Sequence, residues 1–279
     1  MKTLRDFATD GLVVREYELG EHDKMLTLLT PSYGRISVIA KGARSLKNKY
    51  MSPARLFTYA NYELHRRGDM MWLRSAEVIE SFPQLEKEIT RLYLAQYLVD
   101  LACELSGEGE PAVDMLRLTL NSLYAVCRGI KDQRLIKGTF EWRAAGYSGY
   151  MPELGDCHIC GAPDAACAND GGICYIDVMN GALMCASCAA GRLERDAALP
   201  SDVIPVDSDG VRSILLPVNR SVLAAIKYVL TAMPERMFAF SLSEDADLET
   251  FSSVGSTYIT HHLERGFASL ALYNEIRNM

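Results

Sequence analysis

Long apolar runs are missing from this chain. No stretch approaches the ~18–20 residues that span a bilayer, so no membrane helix is expected. The string Met1-Lys2-Thr3-Leu4-Arg5-Asp6 is broken by charge and lacks the apolar centre of a secretory signal, which points to a cytoplasmic protein. The short motifs of common enzymes are missing too: there is no GxSxG, no HExxH and no P-loop. Glu21-His22-Asp23 reads as a turn between strands, and the adjacent His261-His262 would face different directions on a helix. Gly107 and Gly109 read as a plain interhelix loop. No acid–base pair stands out, so catalysis is not expected. Repeats and low-complexity tracts are absent. What remains is an ordinary globular composition, 49% hydrophobic and 23% charged over 279 residues, enough for about two domains.

Basic excess is also missing in total, since the formal net charge is −7. Its distribution matters more than its sum. Residues 1–80 hold 13 Lys+Arg and 10 Asp+Glu, a net of +3, which leaves −10 for the rest. Between Asp23 and Glu63 there is no acidic residue, while Lys24, Arg35, Lys41, Arg44, Lys47, Lys49 and Arg55 all fall there. Such asymmetry suggests a polyanion partner, and a solvated basic loop is the plainer alternative.

The same region reads as short strands. Leu12-Val13-Val14 leads into Tyr17 and Leu19, Met25 to Thr30 forms a second run, and Pro31-Ser32-Tyr33-Gly34 is a turn. Ile36, Val38 and Ala40 then alternate with Arg35, Ser37 and Lys41. A fourth run covers Leu56 to Leu64, and Arg66-Arg67-Gly68-Asp69 turns into a fifth through Met71-Trp72-Leu73. Five strands in so short a span predict a small closed barrel or sandwich, because unpaired edges are costly, and a five-stranded barrel of this size is the OB-fold. Lys41 to Lys49 reads as a mobile loop with Gly42 at a backbone reversal. Its cations suit phosphate oxygens, and Tyr59, more than Phe57, could present a ring to bases.

After Phe82-Pro83 the period becomes helical. Ile89, Tyr93, Tyr97, Leu101 and Leu105 recur every fourth residue. A second helix contains Leu116, Leu120, Leu123 and Cys127. Asp132 caps a third through Arg143 to a stop at Gly146, and Asn219 caps a later one. One further helical stretch runs from Glu244 towards Leu272. The basic set Arg128, Lys131, Arg134 and Lys137 need not share a face and reads as a solvated helix end. The domains expected are 1–82, the barrel, and 83–279, a mainly α-helical domain with a metal module at about 153–194 inserted in it. The fold class is therefore α+β and multidomain.

Of the 8 cysteines, Cys103 and Cys127 sit in apolar helical patterns as small hydrophobes. Cys157-His158-Ile159-Cys160 and Cys185-Ala186-Ser187-Cys188 are two CxxC pairs. Two residues between thiolates let one tight turn aim both sulfurs at a single ion, and two such knuckles complete a tetrahedral shell for zinc. Gly161 and Gly191 fall where such turns want glycine, and the intervening residues read as two short strands. A closed four-sulfur site is structural rather than catalytic. Cys167 and Cys174 read as spectators, and His158 as pointing away.

Leu19-Gly20-Glu21-His22-Asp23-Lys24, then Leu28 to Gly34, then Ala40-Lys41-Gly42-Ala43-Arg44 resembles the N-terminal signature of the bacterial DNA repair protein RecO family. Phe140-Glu141-Trp142-Arg143 through Gly146-Tyr147 and Pro152 into the first CxxC is similar to that family's helix-to-zinc segment, and Ser269-Leu270 to its C-terminal end. The resemblance implies an OB-fold, a helical domain and a structural zinc. It implies a cytoplasmic, nucleoid-associated recombination mediator that binds single- and double-stranded DNA and anneals complementary strands. It further implies work with RecR in loading RecA onto DNA coated by single-strand-binding protein, and contact with that protein's acidic C-terminal tail. On this reading Arg35, Lys41, Arg44, Lys47, Lys49 and Arg55 hold phosphates, with Tyr59 beside them, and about six contacts give a single-strand salt slope of about −4. The alternatives are an adaptor that binds acidic tails and a zinc-dependent hydrolase.

Overall fold

Alternation along the first eighty residues becomes a barrel because each strand has one apolar face to bury. The computed structural model describes residues 6–45, 47–163, 172–197 and 214–279. Strands β1 (Asp6–Leu19), β2 (Asp23–Thr30), β3 (Gly34–Ala40), β4 (Tyr59–Arg67) and β5 (Met70–Glu80) close in the order β1-β2-β3-β5-β4. All neighbours are antiparallel except β3 and β5, which pair in parallel at Val38↔Met71 and Ile39↔Trp72. β1 pairs with β4 along its first half and with β2 along its second, and an irregularity between Val13 and Arg15 bends it. Val13, Leu26, Leu28, Ile36, Val38, Ala60, Tyr62, Leu64 and Leu73 fill the interior.

The segment from Lys41 to Phe57, which contains the loop expected at Lys41–Lys49, is built of hydrogen-bonded turns. Successive turns run from Gly42 to Arg55, with Ser45, Asn48, Met51 and Arg55 each donating a backbone N–H three residues back. Ala43 and Ala54 are buried in the barrel core and pin both ends. Gly42 has φ +69°, and a Cβ there would stand 2.4 Å from Asn48 Nδ2. Phe57, also at positive φ, is buried rather than displayed.

By contact the chain divides into two compact units, Met1–Ile130 with Phe267–Met279, and Lys131–Gly266. This division falls elsewhere than the change of period at residue 82. In the first unit α1 (Ile89–Leu105) packs against α2 (Val113–Arg128) and α7 (Ala268–Arg277). The fourfold spacing is right at Tyr97 and Leu101, which are fully buried, but not at Ile89, which is exposed; Leu94, Ala95, Leu98, Val99 and Ala102 are enclosed as well. The stretch from Glu244 is two helices, because Glu264 takes φ 50° and ends α6 (Asp245–His262). The chain then returns to the first unit, where the Phe267 ring meets Tyr97 edge-on and Ser269 Oγ donates to Asp100 at 2.7 Å.

The interhelix loop is more than a connector. Arg35 N–H donates to Gly107 O at 3.0 Å, Gly109 N–H to Tyr33 O at 2.9 Å and Ala112 N–H to Pro31 O at 3.0 Å. Gly34, at φ +59°, makes this docking possible, since a Cβ there would lie 2.1 Å from Gly107 O.

In the second unit α3 (Gln133–Tyr147) starts at Asp132, whose carboxylate accepts from Arg134 N–H at 2.8 Å. Lys137 is buried and bonded to Glu141, to Ser252 O and to the Ser256 hydroxyl. Arg134 pairs with Asp132, Asp245 and Glu249, and Lys131 donates to Phe240 O. Lys131, Arg134 and Lys137 are thus committed to internal partners, while Arg128, the first of the basic set, is exposed at the end of α2 with its guanidinium over the Tyr124 ring. Asn219 caps α5 (Arg220–Thr231) by accepting from Val222 N–H at 2.9 Å, and buried Arg143 donates to Val229 O and Ala232 O at its other end.

Gly34→Ala is expected to lower the unfolding free energy by at least about 2 kcal/mol, through a left-handed conformation and displacement of the docked loop. Gly20→Ala, at φ +62° with nothing within 4 Å, is the control, and it should cost about 1 kcal/mol. Urea midpoints followed by circular dichroism compare the two.

Candidate metal centre and nucleic-acid interface

The four cysteines are gathered by a three-stranded sheet of order β7-β6-β8, formed by β6 (Ile173–Asp177), β7 (Ala182–Cys185) and β8 (Leu215–Asn219). The first two strands match the expected pair, and β8 supplies a third that its short sequence does not announce. Cys157 opens a knuckle in which Gly161 N–H donates to Cys157 O at 2.8 Å, with Gly161 at φ +70°. The second pair is built differently. Cys185 ends β7 and Cys188 lies in the first turn of α4 (Ala186–Ala197), so Gly191 is a helical residue and not a knuckle glycine.

The Sγ atoms of Cys157, Cys160, Cys185 and Cys188 all lie within 4.8 Å of one another, and those of Cys160 and Cys185 are 3.7 Å apart. A tetrahedron with Zn–S of ~2.3 Å has edges of ~3.8 Å, so the set fits a metal ion bound by four thiolates. Burial would push the Cys157 thiol up, but backbone N–H groups of Cys185, Cys160 and Ile159 outweigh it and hold it down at about 6. Burial and the crowding sulfurs push Cys188 up to about 12. Such opposition among neighbours is what a cation at the centre relieves. Cys174 pairs in register with Cys185 but is not in the cluster; its thiol faces Val218 O at 3.6 Å. Cys167 lies outside the described residues.

Asp177, which is fully buried, joins the two halves of this module. Its carboxylate lies 3.6 Å from His158 Nε2, inside the first CxxC, and 3.6 Å from Arg192 Nη1 on α4. It also accepts from Asn180 N and Nδ2 at 3.3 and 3.0 Å. His158 is therefore turned to a carboxylate and is not one of the four clustered ligands. Nothing in the spacing of the cysteines signals Asp177.

The basic residues separate into two groups. Arg35 is half-buried on β3 with its guanidinium 4.0 Å from Cys103 Sγ. Arg44 donates to Gly20 O at 2.6 Å and pairs with Glu18 at 3.0 Å, and Arg55 pairs with Glu86 at 2.5 Å. Lys24 pairs with Glu16 at 2.9 Å. Lys41, Lys47 and Lys49 are exposed, and among the described residues none has a carboxylate partner. Tyr59 is half-buried beside Asp10; burial and that acid together push its hydroxyl pKa up.

Other residues were not visible from the linear pattern. The Lys41 ammonium lies 4.9 Å over the Trp72 ring, and Lys49 lies 4.9 Å over Tyr50. Arg67 and Arg74 are exposed on the hairpin that carries Trp72. Trp72 reads in sequence as one more strand former, and only the β3–β5 pairing brings it to Lys41. Elsewhere, Asp23 Oδ1 accepts from Gly42 N–H at 2.8 Å, so Glu21-His22-Asp23 is a turn. The His262 ring stacks on Tyr150 with centroids 5.0 Å apart, and burial lowers its pKa.

The family model described as Recombination protein O N terminal matches residues 1–82, and that described as Recombination protein O C terminal matches residues 86–203. The DNA repair protein RecO of Acetivibrio thermocellus is 27% identical over 264 residues, 94% of each chain. That of Syntrophus aciditrophicus is 28% identical over 281 aligned residues, 100% of this chain and 99% of the relative. That of Anaeromyxobacter sp. (strain K) is 32% identical over 183 residues, 65% of this chain and 70% of the relative. Matched over residues 1–82 and 86–203 and 32% identical to a relative of which it covers 70%, this chain belongs to the DNA repair protein RecO family.

Proposed function

We propose that this chain is a mediator of homologous recombination in DNA repair that works by binding rather than by catalysis. The observation that carries this reading is the match of both family models, in order, over most of the chain. On this reading the protein binds single- and double-stranded DNA and brings complementary strands together. With RecR it helps RecA onto DNA coated by single-strand-binding protein, whose acidic C-terminal tail it contacts.

Annealing is opposed by phosphate repulsion, and a cationic surface lowers that barrier by neutralising charge. Arginines already bonded to Glu18 and Glu86, and one turned towards Cys103, are poorly placed to do so. Lys41, Lys47 and Lys49 carry the role instead, on the first eighty residues, whose net charge is +3. The acidic remainder of the chain, with a net of −10, confines the DNA to the barrel. The four cysteines hold zinc as a structural ion; when bound, it compensates the thiolates and joins the knuckle to the end of β7 and the start of α4.

Three engaged lysines should give a single-strand salt slope of about −2, smaller than six would give. A slope near zero removes the charge-neutralisation mechanism. The triple variant Lys41→Glu, Lys47→Glu, Lys49→Glu should bind an oligonucleotide at least about ten-fold more weakly at low salt, with its circular dichroism and metal content unchanged.

Mass spectrometry of the purified chain should find one zinc per chain. Asp177→Ala leaves His158 and Arg192 without their buried carboxylate and should speed zinc transfer to a chromophoric chelator by about ten-fold. Equal transfer rates would mean that Asp177 only packs.

A further inference from the structure

Two rings on the first unit are covered in the same way, each by a lysine. Trp72 lies under Lys41 and Tyr50 under Lys49, both with 4.9 Å from ammonium to ring centre. The two are tied to one strand, because the Tyr50 hydroxyl donates to the backbone carbonyl of Arg74, two residues past Trp72 on β5. Tyr50 packs against the barrel core. Trp72 is half-buried, with its indole Nε1 enclosed and lacking a hydrogen-bond partner. The ring that sequence favours, Tyr59, has Asp10 beside it instead of a cation.

A lysine is a weak cover for a ring. At an exposed site the contact shifts a local equilibrium by about 2- to 5-fold. Removing a ring on which a base stacks costs about 5- to 150-fold in affinity. An unpaired strand offers replacements for both halves of the contact, a base for the ring face and a phosphate for the ammonium. Duplex DNA and acidic peptides replace only the second, since duplex bases are already stacked on each other.

We propose that Trp72, with Tyr50 next to it, is a stacking platform for unpaired bases, covered in the free protein by Lys41 and Lys49 and opened when phosphates draw those lysines away. This rests on the DNA-binding reading above and adds a specific device by which the barrel distinguishes unpaired from paired strands. Arg67, exposed on the same hairpin, extends the phosphate path past the rings.

The chain has 2 tryptophans, so Trp72 can be read by fluorescence once the fully buried Trp142 is silenced. In the full-length Trp142→Phe variant, a dT 12-mer and an abasic 12-mer with the same phosphates are titrated, with binding followed by the anisotropy of a labelled strand. The dT strand should quench Trp72 and bind at least about five-fold more tightly than the abasic strand. Trp72→Leu should remove that difference and leave abasic affinity unchanged. Should Trp142→Phe fail to fold, the same ratio of affinities is read by anisotropy in the chain that keeps Trp142. Equal affinity for the two strands, or a Trp72→Leu variant that loses both alike, overturns the platform while leaving DNA binding intact. Binding of neither strand overturns the DNA-binding reading itself, and the platform with it.

Discussion

Closure of the barrel through the parallel pairing of β3 with β5 is the constraint from which the rest of the first unit follows. Four of the five strand junctions are antiparallel, and three of these (β1–β2, β2–β3 and β4–β5) join strands consecutive in the chain, while β1–β4 pairs residues as far apart as Asp6 and His65. The fifth joins Val38 and Ile39 to Met71 and Trp72, more than thirty residues on. It removes the last free edges, which would otherwise template pairing with another chain. It also decides the surface. The residue that follows β3 is Lys41, and the strand it is brought against carries Trp72. Near the two ends of the turns between Gly42 and Arg55, Ala43 and Ala54 are buried in the barrel core.

Charge is distributed on this surface by the same geometry. In the linear sequence all seven cations between Asp23 and Glu63 look alike. In the fold the arginines are largely structural: Arg44 holds the β1–β2 turn, Arg55 reaches Glu86 and Arg35 is turned inward. The lysines of the turn segment are left exposed, two of them over aromatic rings. A guanidinium has fixed, forked donors that reward a defined partner, whereas a flexible ammonium loses less by staying in water.

The second unit follows a different rule, because its interior is partly polar. Lys137 and Glu141 lie a helical turn apart, fully enclosed, and each is further bonded to Ser256. Such a pair is tolerated only when its remaining hydrogen bonds are met, and removal of one partner strands the other. Asp177 plays an analogous part in the four-cysteine module, where one buried carboxylate faces a histidine, an arginine and an asparagine. The sulfurs themselves sit on a tight turn, at the end of a four-residue strand and in the first turn of a helix, so their closeness depends on this polar frame and on the sheet beneath it.

The sequence by itself determined the strand alternation, the caps at Asp132 and Asn219, the glycines at positive φ and the four clustered cysteines. Each depends on neighbours within a few residues: a two-residue period, a side chain reaching its own helix end, a missing Cβ, a tight turn between thiols. Only the tertiary structure decided which cations stay free, which ring lies under a lysine, where the last helix goes and that Asp177 joins the two CxxC pairs. Arg55 and Glu86, Lys41 and Trp72, and Ser269 and Asp100 are brought together from distant positions. Local pattern carries no record of such pairs, because a side chain's partner is set by how the chain closes and packs and not by the residues next to it.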